Sequence, residues 1–157
     1  MAVNFNANDI FEIAKQIEIN GAKFYRDAAQ VVDDETQKEF LLSLAAMEDD
    51  HEQTFANMQN ELIGSETAEN VFDPDNEAAL YLKALADTRV FFEKDQPESS
   101  IKGILTAAIT AEKDSITFYL GMKELVPEKQ GKAKLDDIIK EEMGHIKLLA
   151  GKLTDLA

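Results

Sequence analysis

The chain lacks cysteine and is poor in the residues that break helices. Its 157 residues contain no Cys, only seven Gly and only three Pro. Without cysteine the chain cannot form a disulfide, an iron–sulfur site or a thiolate metal site. The scarcity of glycine and proline favours long helices over a turn-rich sheet. No run of about 18 apolar residues is present, so we predict no membrane-spanning segment.

Basic residues are also scarce relative to acidic ones. The chain has 16 Lys and Arg against 31 Asp and Glu, which gives a net charge of -15 at pH 7. This charge argues against nucleic acid and anionic membrane surfaces as partners. The first residues show neither the positive cluster nor the apolar segment of a signal peptide, so we expect a cytoplasmic protein. The length and the 45% hydrophobic content predict a single domain over residues 1–157.

Four long segments have the apolar period of an amphipathic helix. They run from about Asp9 to Val32, from Asp34 to Leu62, from Pro97 to Leu125, and from Pro127 almost to the C-terminus. Each apolar stripe is interrupted by polar residues in its middle. The connection of about 35 residues between the second and third segments contains one short amphipathic helix, within 77–92. The sequence therefore predicts an all-α four-helix bundle with a long crossover.

The two halves of the chain match each other. A shift of 94 residues places the first two segments on the last two without a gap. This match indicates a duplicated helical hairpin rather than a short-period repeat. The paired positions include Ile10 and Ile104, Ala14 and Ala108, Glu18 and Glu112, Tyr25 and Tyr119, Glu48 and Glu142, and His51 and His145.

The polar positions are spaced so that they can meet. Glu18 and Glu48 each lie 15 residues from Asp33, so a turn near Asp33 places them at the same height on antiparallel helices. The second hairpin repeats this spacing about Pro127, and each histidine follows its glutamate by three residues, on the same face. If a two-fold axis relates the hairpins, the third long helix runs parallel to the second. Six side chains then share one layer: Glu18, Glu48, His51, Glu112, Glu142 and His145.

Four buried carboxylates need positive charge nearby. No Lys or Arg lies on the stripes, and unpaired buried charges are very costly. A pair of buried His–Glu hydrogen bonds would leave Glu18 and Glu112 without a counter-charge. Two divalent cations would neutralise the layer, and mixed carboxylate and imidazole ligands suit iron, manganese or zinc. The same ligand set defines the ferritin-like dimetal bundles. We therefore predict two divalent metal ions, which are iron, manganese or zinc.

Two further kinds of side chain lie on these stripes. Tyr25 and Tyr119 each follow a predicted ligand by seven residues, or two helical turns. They are either core aromatics with a hydrogen-bonded hydroxyl or donors to a ligand carboxylate, the latter with a further role as one-electron donors. Four methionines are interpreted as packing residues: Met47, Met58, Met122 and Met143.

The chain resembles the rubrerythrin group of the ferritin-like superfamily in the stretches IEINGAKFY, MEDDHEQTF, AEKDSITFY and EEMGHIKLL. The resemblance implies a non-haem di-iron site. In it, Glu18 and Glu112 are single carboxylate ligands, and each Glu-x-x-His motif supplies a pair of ligands. Typical rubrerythrins also carry a rubredoxin-like domain with four cysteines, and an extra glutamate three residues after the third-helix ligand. This chain has no cysteine, and the position of the extra glutamate is Ser115.

Three functions are open at this point. The first is a di-iron oxidoreductase that acts on peroxide or dioxygen, uses a separate electron-donor protein, forms a homodimer and has no catalytic residue beyond the metal ligands. The second is oxidation of ferrous ion at the same ligands, followed by iron handling or storage. The third is an interaction module whose metal site is inert or filled with zinc.

Overall fold

The computed structural model describes residues 7–63, 77–88, 100–126 and 131–156. Within these ranges the secondary structure is helical and contains no strand. The prediction of an all-α bundle is thereby confirmed. None of the described helices has both the length and the apolar character needed to cross a membrane. The helices are α1 Ala7–Val31, α2 Glu35–Ile63, α3 Glu77–Thr88, α4 Ile101–Lys123 and α5 Lys132–Asp155.

Two helices begin later than the sequence predicts. The predicted starts, Pro97 and Pro127, lie outside the described residues. Ser100 is extended, with φ -88° and ψ 140°, and its side chain accepts a hydrogen bond from the Gly103 amide, so it caps α4. Gly131 precedes α5 with φ 128°, a value that a residue with a Cβ rarely adopts. The capping geometry of these two residues therefore sets the helix starts.

Two apolar clusters fix the directions of the four long helices. In one cluster, Phe11 near the start of α1 joins Met58 near the end of α2, Met122 near the end of α4 and Leu135 near the start of α5. The second cluster contains residues from the opposite ends of the same helices, including Val32, Leu41, Leu105 and Leu149. Each hairpin is therefore antiparallel, and α2 and α4 run parallel, as the two-fold arrangement requires.

The predicted stripes are buried almost throughout. The described stripe residues of α1, α2 and α4 are all buried, and Leu62, the last predicted stripe position of α2, lies outside the described side chains. The exception is Leu156, the last predicted stripe position of the fourth long helix, which is 45% exposed because it caps the C-terminal end of α5, beyond the last packed turn. The packing interpretation of methionines holds for Met58 and Met122 and is wrong for Met47 and Met143, which are 41% and 51% exposed.

The short helix α3 occupies part of the crossover and packs on α4. Its Leu82 is fully buried among the residues of the first apolar cluster. A Cβ on Gly121 of α4 would lie 2.8 Å from Leu82 Cδ2 and 2.9 Å from Tyr81 Cε1. Glycine at this position therefore permits the close approach of α3 to α4. The predicted short helix is present over Glu77–Thr88, and the rest of its predicted range lies outside the described residues.

Candidate metal centre

All six predicted ligand side chains meet in one buried layer between the two apolar clusters. None of the six is more than 3% exposed. One glutamate comes from α1 and one from α4, while α2 and α5 each supply a glutamate and a histidine one turn apart. The residues are Glu18, Glu48, His51, Glu112, Glu142 and His145. The structure thus brings together every residue that the spacing argument selected.

His51 turns its Nδ1 atom towards the carboxylates. This atom lies 3.2 Å from Glu142 Oε1, 3.6 Å from Glu18 Oε2 and 3.7 Å from Glu48 Oε2. The carboxylates come from three different helices, so the imidazole faces a pocket of oxygen atoms. Nδ1 is therefore the His51 atom placed to bind a metal ion.

His145 occupies the equivalent position in the second hairpin. Its Nδ1 lies 2.9 Å from Glu142 Oε2, 3.3 Å from Glu48 Oε1 and 3.4 Å from Glu112 Oε1. The rings of His51 and His145 are stacked, with centroids 5.7 Å apart and planes 20° apart. The two imidazoles therefore lie side by side, each with Nδ1 directed into the layer.

The layer divides into two overlapping ligand groups. Glu18, Glu48, His51 and Glu142 form one, in which a ligand atom of each residue lies within 4.8 Å of the others. Glu112 and His145 replace Glu18 and His51 in the other, while Glu48 and Glu142 belong to both. The sequence pattern named the ligands but did not show this sharing, which depends on how the hairpins dock. Carboxylates that belong to both groups are placed to bridge two metal ions.

The two tyrosines donate hydrogen bonds to the two glutamates that belong to only one ligand group each. The Tyr25 hydroxyl donates to Glu112 Oε1 at 2.6 Å, and the Tyr119 hydroxyl donates to Glu18 Oε1 at 2.5 Å. Both bonds cross from one hairpin to the other. Burial, followed by the charge of the neighbouring glutamates, raises the pKa of both phenols well above the usual value. Of the two interpretations of Tyr25 and Tyr119, the geometry therefore favours hydrogen-bond donors to the carboxylates over plain core aromatics.

Burial and mutual repulsion favour the protonated form of two of the glutamates in the metal-free protein. For Glu18, burial raises the pKa well above its usual range, and the charges of Glu48 and Glu142 raise it further. For Glu112, burial and then the charges of Glu142 and Glu48 act in the same direction. These two carboxyl groups therefore keep their protons to a higher pH than an exposed glutamate does.

The remaining four groups form charged pairs. Burial alone would raise the pKa of Glu142, but the nearby imidazole nitrogen atoms of His145 and His51, at 2.9 Å and 3.2 Å, outweigh it and lower the pKa. Burial likewise opposes the charge of Glu48, whose pKa is lowered by the close approach of Glu18 and both histidines. Burial alone would lower the pKa of His145, but the carboxylates of Glu112, Glu142 and Glu48 near its Nδ1 atom raise it to about 12. The pKa of His51 is raised for the same reason, against its burial.

When Glu18 and Glu112 are protonated, two carboxylates face two imidazolium groups and the metal-free layer carries no net charge. Two divalent cations carry the same charge as the protons on Glu18, Glu112 and the two histidines. Exchange of those protons for the cations would leave the layer neutral. The charge of the layer therefore fits a pair of divalent ions.

Unsatisfied polar atoms give an independent test of whether these residues fit a metal pair. Among the described residues, five buried side-chain atoms make no hydrogen bond, and all of them belong to the layer. Buried polar atoms of this kind are rare, because each costs about 1–3 kcal/mol when unpaired. Metal coordination would satisfy such atoms. They are Oε2 of Glu18, Glu112 and Glu142, Oε1 of Glu48, and Nδ1 of His145.

The outer nitrogen atoms of the two histidines face the surface between α2 and α5. His51 Nε2 lies 2.5 Å from Glu141 Oε2, and His145 Nε2 lies 3.1 Å from Met47 Sδ. All four residues line a cavity of about 1090 Å³ between the two helices. Sequence reasoning missed both partners, because Met47 was assigned to packing and Glu141 was given no role. The shift of 94 residues pairs positions 47 and 141, so the match of the two halves could have indicated that these positions have equivalent roles.

Comparison with known proteins agrees with the geometry. The chain is similar to a protein of Thermotoga maritima whose crystal structure was described as that of a candidate ferritin-like diiron-carboxylate protein. The two share 26% sequence identity and a TM-score of 0.68, and the match covers 97% of each chain. No family model and no curated protein matches the chain.

The fold and the site together define a class. The bundle has the ferritin-like fold, and its buried Glu and His cluster fits a non-haem di-iron protein. The structural similarity supports placement in the ferritin-like di-iron superfamily.

Proposed function

We propose that the protein is a di-iron oxidoreductase that reduces peroxide or activates dioxygen, with its metal ions bound by the six residues of the layer. The observation that carries the proposal is the sharing of Glu48 and Glu142 between two ligand groups, which places two metal positions side by side. One peroxide takes two electrons and two protons to give two waters, which matches the two electrons that a pair of ferrous ions supplies. The diiron-carboxylate description of the Thermotoga maritima protein supports iron as the metal.

The protein's own residues hold this site rather than react directly. Tyr25 and Tyr119 fix one oxygen each of Glu112 and Glu18, and leave the other oxygen of each carboxylate for the metal. The apolar clusters above and below the layer exclude water from its ends. We propose no catalytic side chain beyond the metal ligands, and we assign positioning roles to the two tyrosines.

We propose a relation to the rubrerythrins in which the ligand set stays at six. The motifs of the sequence support the relation, whereas Ser115 stands at the position of the extra glutamate. Its hydroxyl donates to the Ala111 carbonyl oxygen at 3.0 Å, within its own helix. Ser115 therefore offers no carboxylate through which a metal ion could change ligands.

We further propose a cytoplasmic homodimer that receives electrons from a separate protein. The absence of cysteine from the 157 residues supports the separate donor, because cysteine-ligated iron is the relay that rubrerythrins use. The mass of the assembly in solution tests the oligomeric part. A dimer agrees with the redox function, whereas a 24-subunit shell would favour iron storage.

A single-turnover experiment tests the redox function. Anaerobic protein loaded with two ferrous ions per chain is mixed with one equivalent of hydrogen peroxide, and ferric absorption is followed by stopped flow. We expect rapid oxidation in a single turnover and slow multiple turnover unless a reductant is added. The His51→Ala, His145→Ala double variant, which lacks both imidazole ligands, serves as the control. If the bound iron stays ferrous over minutes while free ferrous ion in the same buffer is oxidised, the redox function is wrong.

A further inference from the structure

The two ligand groups differ in one respect that lies just outside the ligands. Met47 and Glu141 occupy equivalent positions in the two hairpins, 94 residues apart, and each directly precedes a shared glutamate. Each side chain reaches across to the histidine of the other hairpin. Glu141 on α5 contacts His51 on α2, and Met47 on α2 contacts His145 on α5.

Both contacts are made to the ring nitrogen that faces away from the metal positions. Nδ1 of each histidine is directed at the carboxylates of the layer, which leaves Nε2 as the outward atom. When Nδ1 binds a metal ion, Nε2 carries the proton and can only donate a hydrogen bond. The identity of the acceptor at Nε2 is therefore the chemical difference between the two half-sites.

The two acceptors have unequal strength. A carboxylate that accepts the outer N–H of a metal-bound histidine fixes the ring orientation and makes the imidazole a stronger ligand. A thioether sulfur is a weak, uncharged acceptor and gives little of this effect. The outer nitrogen of His51 contacts a carboxylate oxygen of Glu141, whereas the outer nitrogen of His145 contacts the neutral sulfur of Met47 at 3.1 Å.

We propose that Glu141 and Met47 make the two metal positions unequal, so that the half-site of Glu18 and His51 binds a divalent metal more tightly than the half-site of Glu112 and His145. This inference rests on the proposed metal site and names Glu141 as its positioning residue. Such outer partners typically change metal affinity by about 10- to 100-fold. Since the Glu141 side chain is 62% exposed, the expected difference is at the lower end, about tenfold.

The structure provides a reporter for each half-site. The chain has three tyrosines, of which Tyr119 is hydrogen-bonded to Glu18, Tyr25 is bonded to Glu112 and Tyr81 is exposed on α3. When a metal ion binds one of these glutamates, the signals of the tyrosine ring bonded to it change. Tyrosine labelled with ¹³C therefore shows which half-site fills first, and Tyr81 serves as the internal reference.

The experiment titrates metal-free protein with Zn²⁺, an ion that undergoes no redox reaction, and follows the tyrosine signals and the heat of binding. In the wild type, we expect the first equivalent to move the Tyr119 signals and the second to move those of Tyr25. Glu141→Met gives both half-sites a thioether, so the two sets of signals should move together. The exchanged variant Met47→Glu, Glu141→Met should reverse the order.

A matched control separates this effect from a general change in charge. Met143 is also half exposed on α5, so Met143→Glu adds a carboxylate to the same helix and should leave the wild-type order unchanged. The proposal is overturned if Tyr25 and Tyr119 respond together in the wild type, or if the exchanged variant keeps the wild-type order. Failure to bind Zn²⁺ at all would overturn the metal site itself. Because no peroxide is used, neither result depends on the redox function.

Discussion

The two hairpins are alike in the ligand layer and at several buried core positions, and differ on the surface between their helices. Glu18, Glu48 and His51 of the first hairpin match three identical residue types in the second, and both sets are buried. The exposed contacts between the helices do not match. Arg26 and Asp49 form an ion pair between α1 and α2, whereas the equivalent residues of the second hairpin are apolar and about half exposed. Those residues are Leu120 and Met143.

The reverse difference occurs nearer to the turn of each hairpin. Lys123 and Asp136 form an ion pair at 2.5 Å between α4 and α5, while the equivalent residues of the first hairpin are Ala29 and Leu42. Each hairpin therefore has its own surface contacts between the helices. The equality of the two halves lies in the buried interior, which includes the layer of the proposed metal ions.

The contacts of the layer cross between the hairpins. Tyr25 and Tyr119 each hold a glutamate of the other half, and Glu48 and Glu142 each belong to both ligand groups. A single hairpin contains one histidine, three of the four residues of one ligand group and one of the four residues of the other. The comparison teaches that the hairpins supply matching ligands, while their docking creates the site.

The largest expected effect comes from removal of the imidazoles. His51→Ala removes one ligand from one group, His145→Ala removes one from the other, and the double variant should lose at least one metal ion per chain. Metal content after anaerobic loading measures this, with Gln53→Ala on the exposed face of α2 as a control. Retention of both metal ions by the double variant would contradict the assignment of the ligands.

Metal binding should raise the melting temperature, and by more at higher pH. The pKa values of Glu18 and Glu112 are raised above 4.5 in the metal-free protein. The stability that these protonated groups contribute is fully present when the pH is below their pKa in the unfolded chain. It is lost as the pH rises through their pKa in the folded protein. The raised pKa values of His51 and His145 act in the same sense above 6.5.

Bound metal replaces these protons and removes the loss of stability, while protons compete with the metal at low pH. The difference in melting temperature between metal-loaded and metal-free protein should therefore grow from about pH 5.5 to about pH 8. Melting curves at several pH values measure this difference. Equal melting temperatures at neutral pH would show that the layer does not bind the metal.

The tyrosine bonds should have similar strength in the two halves. Tyr25→Phe and Tyr119→Phe each leave a buried glutamate oxygen without its donor, which costs about 1–3 kcal/mol. We expect the two losses to agree within about 1 kcal/mol, because the bonds are 2.6 Å and 2.5 Å long and equally buried. Urea unfolding of the metal-free variants measures both. A large loss in one variant only would show that the hairpins are unequal inside the layer as well.

The smallest effect is expected at the surface. Asp49→Asn removes the ion pair with Arg26. The side chain of Arg26 is 48% exposed and that of Asp49 is 44% exposed. Exposed pairs contribute at most about 1 kcal/mol, and salt screens them. In high salt, the free energy of unfolding of the variant should therefore be close to that of the wild type. Its metal content should be unchanged. A loss of metal in this variant would indicate that the surface contacts help to build the layer.

Helix positions and the ligand layer could be predicted because both follow from spacing along the chain. The helical period places Glu18 and Tyr25 on one face, and the matched distances to each turn place Glu48 at the height of Glu18. The spacing of residues along the chain does not determine how the two hairpins pack against each other. The sharing of Glu48 and Glu142, and the bond from each tyrosine to the opposite hairpin, therefore became evident only in three dimensions.

Two sequence predictions, the helix starts and the packing role of Met47, differ from the structure for local reasons. The helices begin at Ile101 and Lys132 because Ser100 is an extended cap and Gly131 has a positive φ, neither of which the apolar period of the sequence indicates. Met47 was assigned to the core by its residue type, but position 47 lies beside the stripe and points at the opposite histidine. The assignment failed because a residue type does not specify which side chain of a neighbouring helix it meets.

Anomalous X-ray diffraction at the iron edge from crystals of the iron-loaded protein tests the central claim most directly. The account predicts two anomalous peaks per chain, one among Glu18, Glu48, His51 and Glu142 and the other among Glu48, Glu112, Glu142 and His145. A single peak, or peaks bound by residues outside this layer, would contradict the account.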